Sequence, residues 1–322
     1  MVVTGYLFAG YLIAHQFGRR GFYIASRILG ITASCIVLSE VLLRCLNLQF
    51  LNHSTPLAFE GFSSNRNAFS FQLLIITCLL LPQFKNSFQP LKSSSIITAA
   101  LGFCGAGVFL SGSRTGIVVL AVIYGTSLLF RICPARKCIT SIASSLVIIM
   151  PFYVAKWSPQ WSPQWSPQWS PQWSPQWSPQ WSSQTSDHLR FKANAIAMQN
   201  WVDHPMFGMG LGTFIADSER LLGLKMVIHN TPLWVLCEFG IVGFSVFLFM
   251  GWTLCRHLQK VKAWSGTPQQ RALFLTFITF ALFCQLHEIL YQRVLWLTLG
   301  LTAAAWSKKP FQSDHSREKF IQ

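Results

Sequence analysis

One histidine and two arginines stand beside apolar runs of the chain, and they carry the groups best suited to chemistry. His229 precedes Asn230 in MVIHNTPLW, Arg114 lies in GSRTG, and Arg190 lies in HLR. An imidazole titrates near neutral pH and can transfer a proton, whereas a guanidinium presents a planar fork of donors that suits phosphate oxygens. Together these residues predict a site that binds a phosphorylated group and moves a proton.

Each of these residues also has a purely structural interpretation. Arg114 could bond to helix-terminal carbonyls, Arg190 could be an ordinary charge on a surface helix, and a lone histidine is commonly a satisfied interfacial residue. The position of His229 next to Asn230, at a predicted helix start, favours function. Glu238 lies about two and a half helical turns further on, so we expect it to point to the opposite face and not to orient His229.

Composition excludes a water-soluble domain. Hydrophobic residues make up 52% of the 322, charged residues make up 11%, and the mean hydropathy is +0.40. The net charge of +15 could indicate a nucleic-acid partner, but the basic residues cluster in alternate loops, as in membrane proteins. The cysteines stand singly in or beside apolar runs or flank a basic loop without CxxC spacing, which predicts no metal site.

Nine apolar runs predict an all-α fold, a polytopic membrane bundle of about nine transmembrane helices. The runs are Val2 to Phe17, Phe22 to Leu43, Ala68 to Leu81, Ile96 to Leu110, Ile117 to Phe130, Ile139 to Ala155, Thr231 to Leu254, Ala272 to Leu286 and Val294 to Trp306.

The distribution of lysine and arginine predicts an outside N-terminus and an inside C-terminus. The expected domains are N-terminal transmembrane helices in 1–155, an extracytoplasmic loop in 156–230, C-terminal transmembrane helices in 231–307 and a cytoplasmic tail in 308–322. This topology places the Arg114, Arg190 and His229 motifs on the same, outer side of the membrane. The sequence therefore predicts one site built from three distant segments.

Two features stand out in the long loop. A WSPQ repeat fills 157–184, and proline at every fourth residue favours extended, polyproline-like conformers. Its tryptophans could stack on sugars or settle at the lipid interface, or the repeat could be a flexible spacer. An amphipathic helix in 187–204, capped by Ser186 and Asp187, is expected along the outer membrane surface, and Gly210 in GMGLG predicts a close backbone approach.

The motifs together resemble a known family. GSRTG, the Arg190 helix, HPMFGMGLGTF and HNTPLWVLCEFGIVG are similar to the signature of the O-antigen ligase and O-antigen polymerase family of bacterial polytopic membrane proteins. GFSSNRNAF resembles the Gly-x-Phe…Asn segment that precedes a membrane helix in that family. The resemblance implies a helical membrane architecture of the lipid-sugar glycosyltransferase type and an undecaprenyl-diphosphate-linked oligosaccharide donor.

The resemblance also implies roles for particular residues. Arg114 and Arg190 match the arginines that bind the donor diphosphate, and His229 matches the essential histidine. The same comparison suggests Asn230, Asn67 and Gly210 as substrate-binding residues. The implied enzyme is a metal-independent, inverting glycosyltransferase without a cofactor, with a glycan or lipid acceptor. It would act at the periplasmic or exterior face of the bacterial cytoplasmic membrane, in lipopolysaccharide or other polysaccharide biosynthesis.

Two other functions stay open at this point. A membrane transporter of a small anion would also place arginine and histidine in an internal cavity. Family members usually have more helices than the nine predicted here, so an inactive, N-terminally truncated member is a further alternative.

Overall fold

The computed structural model describes residues 2–45, 59–63, 65–85, 91–157, 183–223 and 226–303. The regular elements in these ranges are helical. Almost the whole WSPQ repeat and the predicted tail 308–322 lie outside them. The α-helices are α1 (Val2–Cys45), α2 (Arg66–Leu80), α3 (Leu91–Leu110), α4 (Arg114–Leu129), α5 (Ala135–Trp157), α6 (Ser183–Asp203), α7 (Thr213–Leu222), α8 (Thr231–Lys260), α9 (Pro268–Phe283) and α10 (Arg293–Thr302).

The fold class predicted from the sequence, a polytopic helical membrane protein, is confirmed. Four described helices are long and apolar enough to cross a membrane: Val2–Leu43, Arg66–Phe84, Ala135–Phe152 and Thr231–Lys260. Shorter apolar helices accompany them over Ser94–Leu110, Arg114–Leu129 and Arg293–Thr302. The eighth apolar run, expected to extend to Leu286, forms α9 and ends earlier, at Phe283.

Helix α1 contains the first two predicted runs. Its backbone leaves the helical region at Gly18, with φ 54° and ψ −135°. A side chain at Gly21 would lie 2.7 Å from the carbonyl oxygen of Ile13, although residues eight apart in a straight helix are separated by roughly 12 Å. The chain therefore turns back at Gly18, so the two runs form separate helical segments.

Helix α2 is the centre of the bundle. Its residues from Phe69 to Leu80 are buried except for Gln72, as expected for a helix that is apolar on nearly every side. It packs against α1, α3, α4, α9 and α10. At the α9 contact the rings of Phe71 and Phe283 lie 5.1 Å apart, and Cys78 Sγ lies 3.2 Å from Thr279 Oγ1. Helix α2 therefore gathers α1, α3, α4, α9 and α10 around one core.

Helix α8 is interrupted at Gly240, where φ is 64° and ψ is −166°. The segment Pro205–Gly210 fills the interruption. The N–H groups of Met209 and Gly210 donate to Cys237 O and Glu238 O, each at 3.0 Å, and the N–H groups of Ile241 and Val242 donate to Pro205 O and Met206 O, at 2.9 and 3.2 Å. These four bonds replace the intrahelical bonds that the break removes. We call this junction the α8 splice.

Helix α6 runs beside the first turns of α8 in the same direction. Its buried residues Ala193 and Ala197 share a cluster with Trp234 of α8, while the chain that follows α6 bonds to α8 in the splice. The sequence suggested a helix along the outer membrane surface, and this orientation stays a prediction. Helix α6 begins at Ser183, earlier than predicted, so Ser186 and Asp187 lie inside the helix rather than at its cap.

Gly240→Ala tests the splice. Any side chain at position 240 must adopt a left-handed backbone and would overlap the Met206 carbonyl group, and the backbone strain alone costs about 1–3 kcal/mol. We expect a lower thermal unfolding temperature for the purified protein in detergent.

Gly251→Ala, in the same helix, is the matched control, because a side chain there meets nothing within 4 Å. Equal unfolding temperatures for the two variants would contradict the splice.

Candidate functional site

The Arg114 motif forms the beginning of α4. Ser113 caps the helix, since its hydroxyl accepts a hydrogen bond from the Gly116 N–H at 3.2 Å. Gly116 lies directly against the Ser70 side chain of α2, where a Cβ would overlap the hydroxyl. Arg114 is the first residue of the helix and is exposed. Its guanidinium therefore lies at the positive end of the α4 dipole, and both positive groups favour the binding of an anion.

The His229 motif forms the beginning of α8. Asn230 is the helix cap, because its side-chain oxygen accepts from the Leu233 N–H at 2.8 Å, and Pro232 occupies the first turn. Capping by asparagine followed by an early proline is the pattern that the sequence predicted. His229 directly precedes the cap and is half-buried. The imidazole thus lies just outside a membrane-spanning helix.

The connection between α9 and α10 is hydrogen-bonded to the start of α8. Asn230 Nδ2 donates to the Gln285 carbonyl at 2.9 Å, and the Thr231 N–H donates to the Cys284 carbonyl at 2.9 Å. The buried Thr231 hydroxyl donates to the His287 carbonyl at 2.7 Å and accepts from the Ile289 N–H at 3.3 Å. These bonds fix residues 284–289 against the His229 motif.

His287 joins this connection to the Arg114 motif. Its Nε2 lies 3.3 Å from the hydroxyl of Thr115, the residue after Arg114. The imidazole is 7% exposed and lies on the ring of Phe283, with 4.8 Å between centroids. The starts of α4 and α8 are therefore linked through one residue, Thr115 by the His287 side chain and Thr231 by the His287 backbone.

The pKa values of both histidines lie below the ordinary value. Burial is the main cause for His229, and the positive charge of Arg190 adds to it. Burial also lowers the pKa of His287, to about 4, and three neighbouring basic groups contribute, those of His229, Arg190 and Arg66. Both imidazoles are therefore neutral at neutral pH. A neutral imidazole can accept a proton.

Glu288 adds a carboxyl group beside His287. Burial raises its pKa to about 7, a hydrogen bond from the Tyr291 backbone opposes this shift, and the negative charge of Glu238 adds to it. Its Oε1 is buried without a hydrogen-bond partner. This side chain is partly protonated near neutral pH and can exchange a proton there.

Of the predicted site residues, Arg190 and Asn230 lie near His229, whereas Arg114 is connected to it through other residues. Arg190 lies close enough to His229 for its charge to lower the histidine pKa. The connection to Arg114 runs through the neighbouring Thr115, as described above. Asn230 belongs to the same helix start as His229. These contacts join the three motifs that the sequence placed on one side of the membrane.

Gly210 and Asn67 have structural contacts of their own. The Gly210 N–H belongs to the α8 splice, and its φ of 97° is one that glycine adopts readily. Asn67 lies in the first turn of α2, where its N–H bonds to Asn65, the residue that caps the helix. Glu238 also supports the splice, since its Oε2 accepts from the Gly212 N–H at 2.9 Å. The suggested substrate contacts of Gly210 and Asn67 stay predictions.

Sequence reasoning missed three residues of this region: Arg66, His287 and Glu288. His287 and Glu288 could have been found from the sequence. They are titratable residues between the last two apolar runs, and the predicted topology puts 287–293 on the same side as His229. Among the described residues no group of three histidine, cysteine, aspartate or glutamate side chains is arranged to hold a metal ion. The predicted independence from metal is untested.

The apolar helices and the polar groups at their ends define a polytopic membrane protein. Residues 99–248 match the family described as O-antigen ligase. This match supports the O-antigen ligase family that the motifs indicated. The matched range includes Arg114, Arg190 and His229, and the family is one of O-antigen ligase-like glycan transfer in the membrane. No curated protein matches the chain.

Thr231→Val tests the link between α8 and the α9–α10 connection. Valine keeps the shape of threonine but leaves the His287 carbonyl and the Ile289 N–H without this partner, at a cost of roughly 1–3 kcal/mol. We expect thermal unfolding in detergent at a lower temperature. Thr231→Ser keeps the hydroxyl and should retain more of the stability. The link would be refuted if the valine variant were as stable as the serine variant.

Proposed function

We propose that the protein transfers a glycan from an undecaprenyl-diphosphate-linked donor to an acceptor hydroxyl on the outer face of the bacterial cytoplasmic membrane. The acceptor is a glycan or a lipid. The observation that carries the proposal is the proximity of the Arg190 charge to His229. A guanidinium beside a neutral imidazole provides an anion-binding group next to a proton acceptor, which this reaction requires.

The donor diphosphate is assigned to Arg114 and Arg190. Cleavage of the sugar–phosphate bond leaves a lipid diphosphate with an additional negative charge, and two guanidinium groups can stabilise this charge through charge-assisted hydrogen bonds. Support comes from the position of Arg114 at the start of α4, where the helix dipole also favours an anion. Arg66 contributes further positive charge to the region, since it lowers the pKa of His287.

His229 is assigned to the acceptor. The acceptor oxygen attacks the anomeric carbon, the bond from that carbon to the diphosphate oxygen breaks, and its electron pair leaves with the lipid diphosphate. The hydroxyl proton passes to the neutral imidazole of His229. Attack from the face opposite the diphosphate inverts the anomeric centre. No step in this sequence requires a metal ion or a cofactor.

One structural observation favours the alternative function, a transporter of small anions. Helix α8 is broken at Gly240, and transporters use broken helices to bind ions. In this chain, however, the N–H and C=O groups at the break are bonded to Pro205–Gly210. They are therefore occupied by the protein's own backbone. This pairing favours the transferase over the transporter.

A transfer assay with purified protein and a lipid-diphosphate-linked oligosaccharide donor tests the proposal. His229→Ala should abolish transfer. Arg114→Lys keeps the charge but loses the bidentate fork, so transfer should fall by roughly 10- to 100-fold, in line with about 1.5–3 kcal/mol for a hydrogen bond to a charged group.

Arg220→Lys is the matched control for the arginine exchange, because Arg220 is exposed and pairs with Asp217 at 3.6 Å. It should transfer at the wild-type rate. Wild-type transfer by the His229→Ala or Arg114→Lys variant would refute the assigned role, and uptake of a free anion by vesicles without glycan transfer would support the transporter.

The pH dependence of transfer tests the pairing of Arg190 with His229. Transfer needs the neutral imidazole, and the His229 pKa is lowered from its ordinary 6.5, so kcat/KM should fall only when the pH drops below that value. Removing the nearby positive charge in Arg190→Gln should raise the pKa, and the residual activity should then decline at a higher pH than in the wild type.

Arg190→Lys retains the charge, so the fall of kcat/KM at low pH, the acid limb of the pH profile, should stay close to its wild-type position. An identical acid limb in the glutamine and lysine variants would show that Arg190 does not act on His229.

A further inference from the structure

We infer that α6 and residues 205–212 form a re-entrant element, which enters the half of the membrane nearer to His229 and exposes an apolar surface to lipid acyl chains. The inference rests on packing and exposure and is independent of the proposed reaction. The apolar surface consists of Phe191, Met198, Val202, Met206, Phe207 and Leu211, which are between 45% and 74% exposed.

The depth of the element follows from its bonds to α8. At the far end of α8 the Arg256 guanidinium lies 5.3 Å from the centroid of the Trp252 ring, a pair of residue types that favours a membrane interface. Gly240 precedes Arg256 by sixteen residues, which corresponds to roughly 24 Å of helix and is less than the ~30 Å hydrocarbon core. The splice at Gly240 therefore lies within the hydrocarbon, together with Pro205–Gly210.

Lipid is the occupant that fits this surface, because the surface continues that of the spanning helix. From Ile241 onward α8 exposes apolar side chains, with Ile241 41%, Val242 42% and Val246 55% exposed. The N–H groups of Ile241 and Val242 are the ones that bond to Pro205 and Met206. Met206 and Phe207 therefore lie at the same depth as side chains that face lipid.

Backbone pairing makes this immersion possible. Irregular backbone at membrane depth is tolerated only where its polar groups are bonded within the protein. The four main-chain bonds of the splice supply such partners to residues 205–210 and to α8. In addition, the Gly212 N–H donates to Glu238 Oε2. Segment 205–212 thus meets the requirement for a re-entrant loop.

Helix α6 has the faces that this placement requires. Its buried face, with Ala193 and Ala197, packs on α8. Phe191, Met198 and Val202 lie on one outward stripe, at spacings of seven and four residues.

A second exposed stripe of α6 is polar and lies about a quarter turn away from the apolar one. It consists of Lys192, Gln199 and Asp203, and Gln199 Nε2 donates to Asp203 Oδ1 at 3.2 Å. A helix at the edge of a leaflet needs one side for lipid and another for water or headgroups. The two stripes therefore give matched positions on one helix, one for each environment.

Site-specific photocrosslinking tests the lipid contact. A benzophenone amino acid is introduced singly at Phe207, Val202, Lys192 and Gln199 of the full chain, and the protein is irradiated in phospholipid vesicles. We expect lipid adducts to form several-fold more at Phe207 and Val202 than at Lys192 and Gln199. All four side chains are exposed, so the replacements should not disturb folding. Equal labelling of both pairs, or adducts to a second copy of the chain at Phe207, would overturn the inference.

A second experiment tests the depth with the wild-type protein. Vesicles contain a phospholipid with a diazirine either in the middle of an acyl chain or on the headgroup, and labelled peptides are mapped by mass spectrometry. The re-entrant element predicts that residues 205–208 react mainly with the acyl-chain probe. Reaction with the headgroup probe alone would place this segment on the membrane surface and overturn the inference. Neither readout requires glycan transfer, so an inactive enzyme would leave both results interpretable.

Discussion

Backbone amides and carbonyls in hydrocarbon must find partners within the protein, and this requirement accounts for how residues 205–212 are held against α8. Helix α8 loses its internal bonds at Gly240, and Pro205–Gly210 supplies replacements from a different part of the chain. The same helix begins at Thr231 with further bonds to the α9–α10 connection. The two sets of bonds hold α6, α8 and the α9–α10 connection as one unit, and the position of Arg190 follows from that unit.

The electrostatic character of the site follows from burial in this unit. Basic groups from α2 and α6, Arg66 and Arg190, act on imidazoles that are already partly removed from water. Both effects disfavour a protonated imidazole, so positive charge is supplied by arginine while histidine stays neutral. This division of roles suits a reaction in which an anion leaves and a proton is accepted. His287 connects the starts of α4 and α8 through its side chain and its backbone carbonyl, and neither contact requires a charged imidazole.

The broken helix α8 has a different use here from the one found in transporters. In a transporter, the free main-chain groups at such a break bind the substrate or an ion. In this chain they bind another segment of the same protein, and the close approach of Gly208 and Gly240 leaves no room for side chains between the two backbones. The break therefore serves to fix residues 205–210 to α8. Both segments lie within residues 99–248, the range similar to the O-antigen ligase family.

Several features could be predicted from the sequence because their causes are local. Long apolar runs determine an all-helical membrane fold, and Asn230 and Ser113 mark helix starts through bonds to residues three positions away. The side of the membrane shared by Arg114, Arg190 and His229 followed from loop charge, and the geometry now supports their association. The motif resemblance indicated the O-antigen ligase family for the same reason, since its signature lies in short segments, and the match over residues 99–248 supports it.

Other features depended on contacts between distant residues and could not be read from any local pattern. His287 meets Thr115 across 172 residues and Thr231 across 56, and neither spacing has a signature in the sequence. The packing of α6 on α8 could not be predicted, because its amphipathic pattern fits a helix lying on a membrane as well as one packed against another helix. The sequence by itself therefore determined the helices and the chemical groups, which depend on near neighbours. Only the tertiary structure decided which distant groups meet, because pairing within the folded chain selects the partners of each buried polar group.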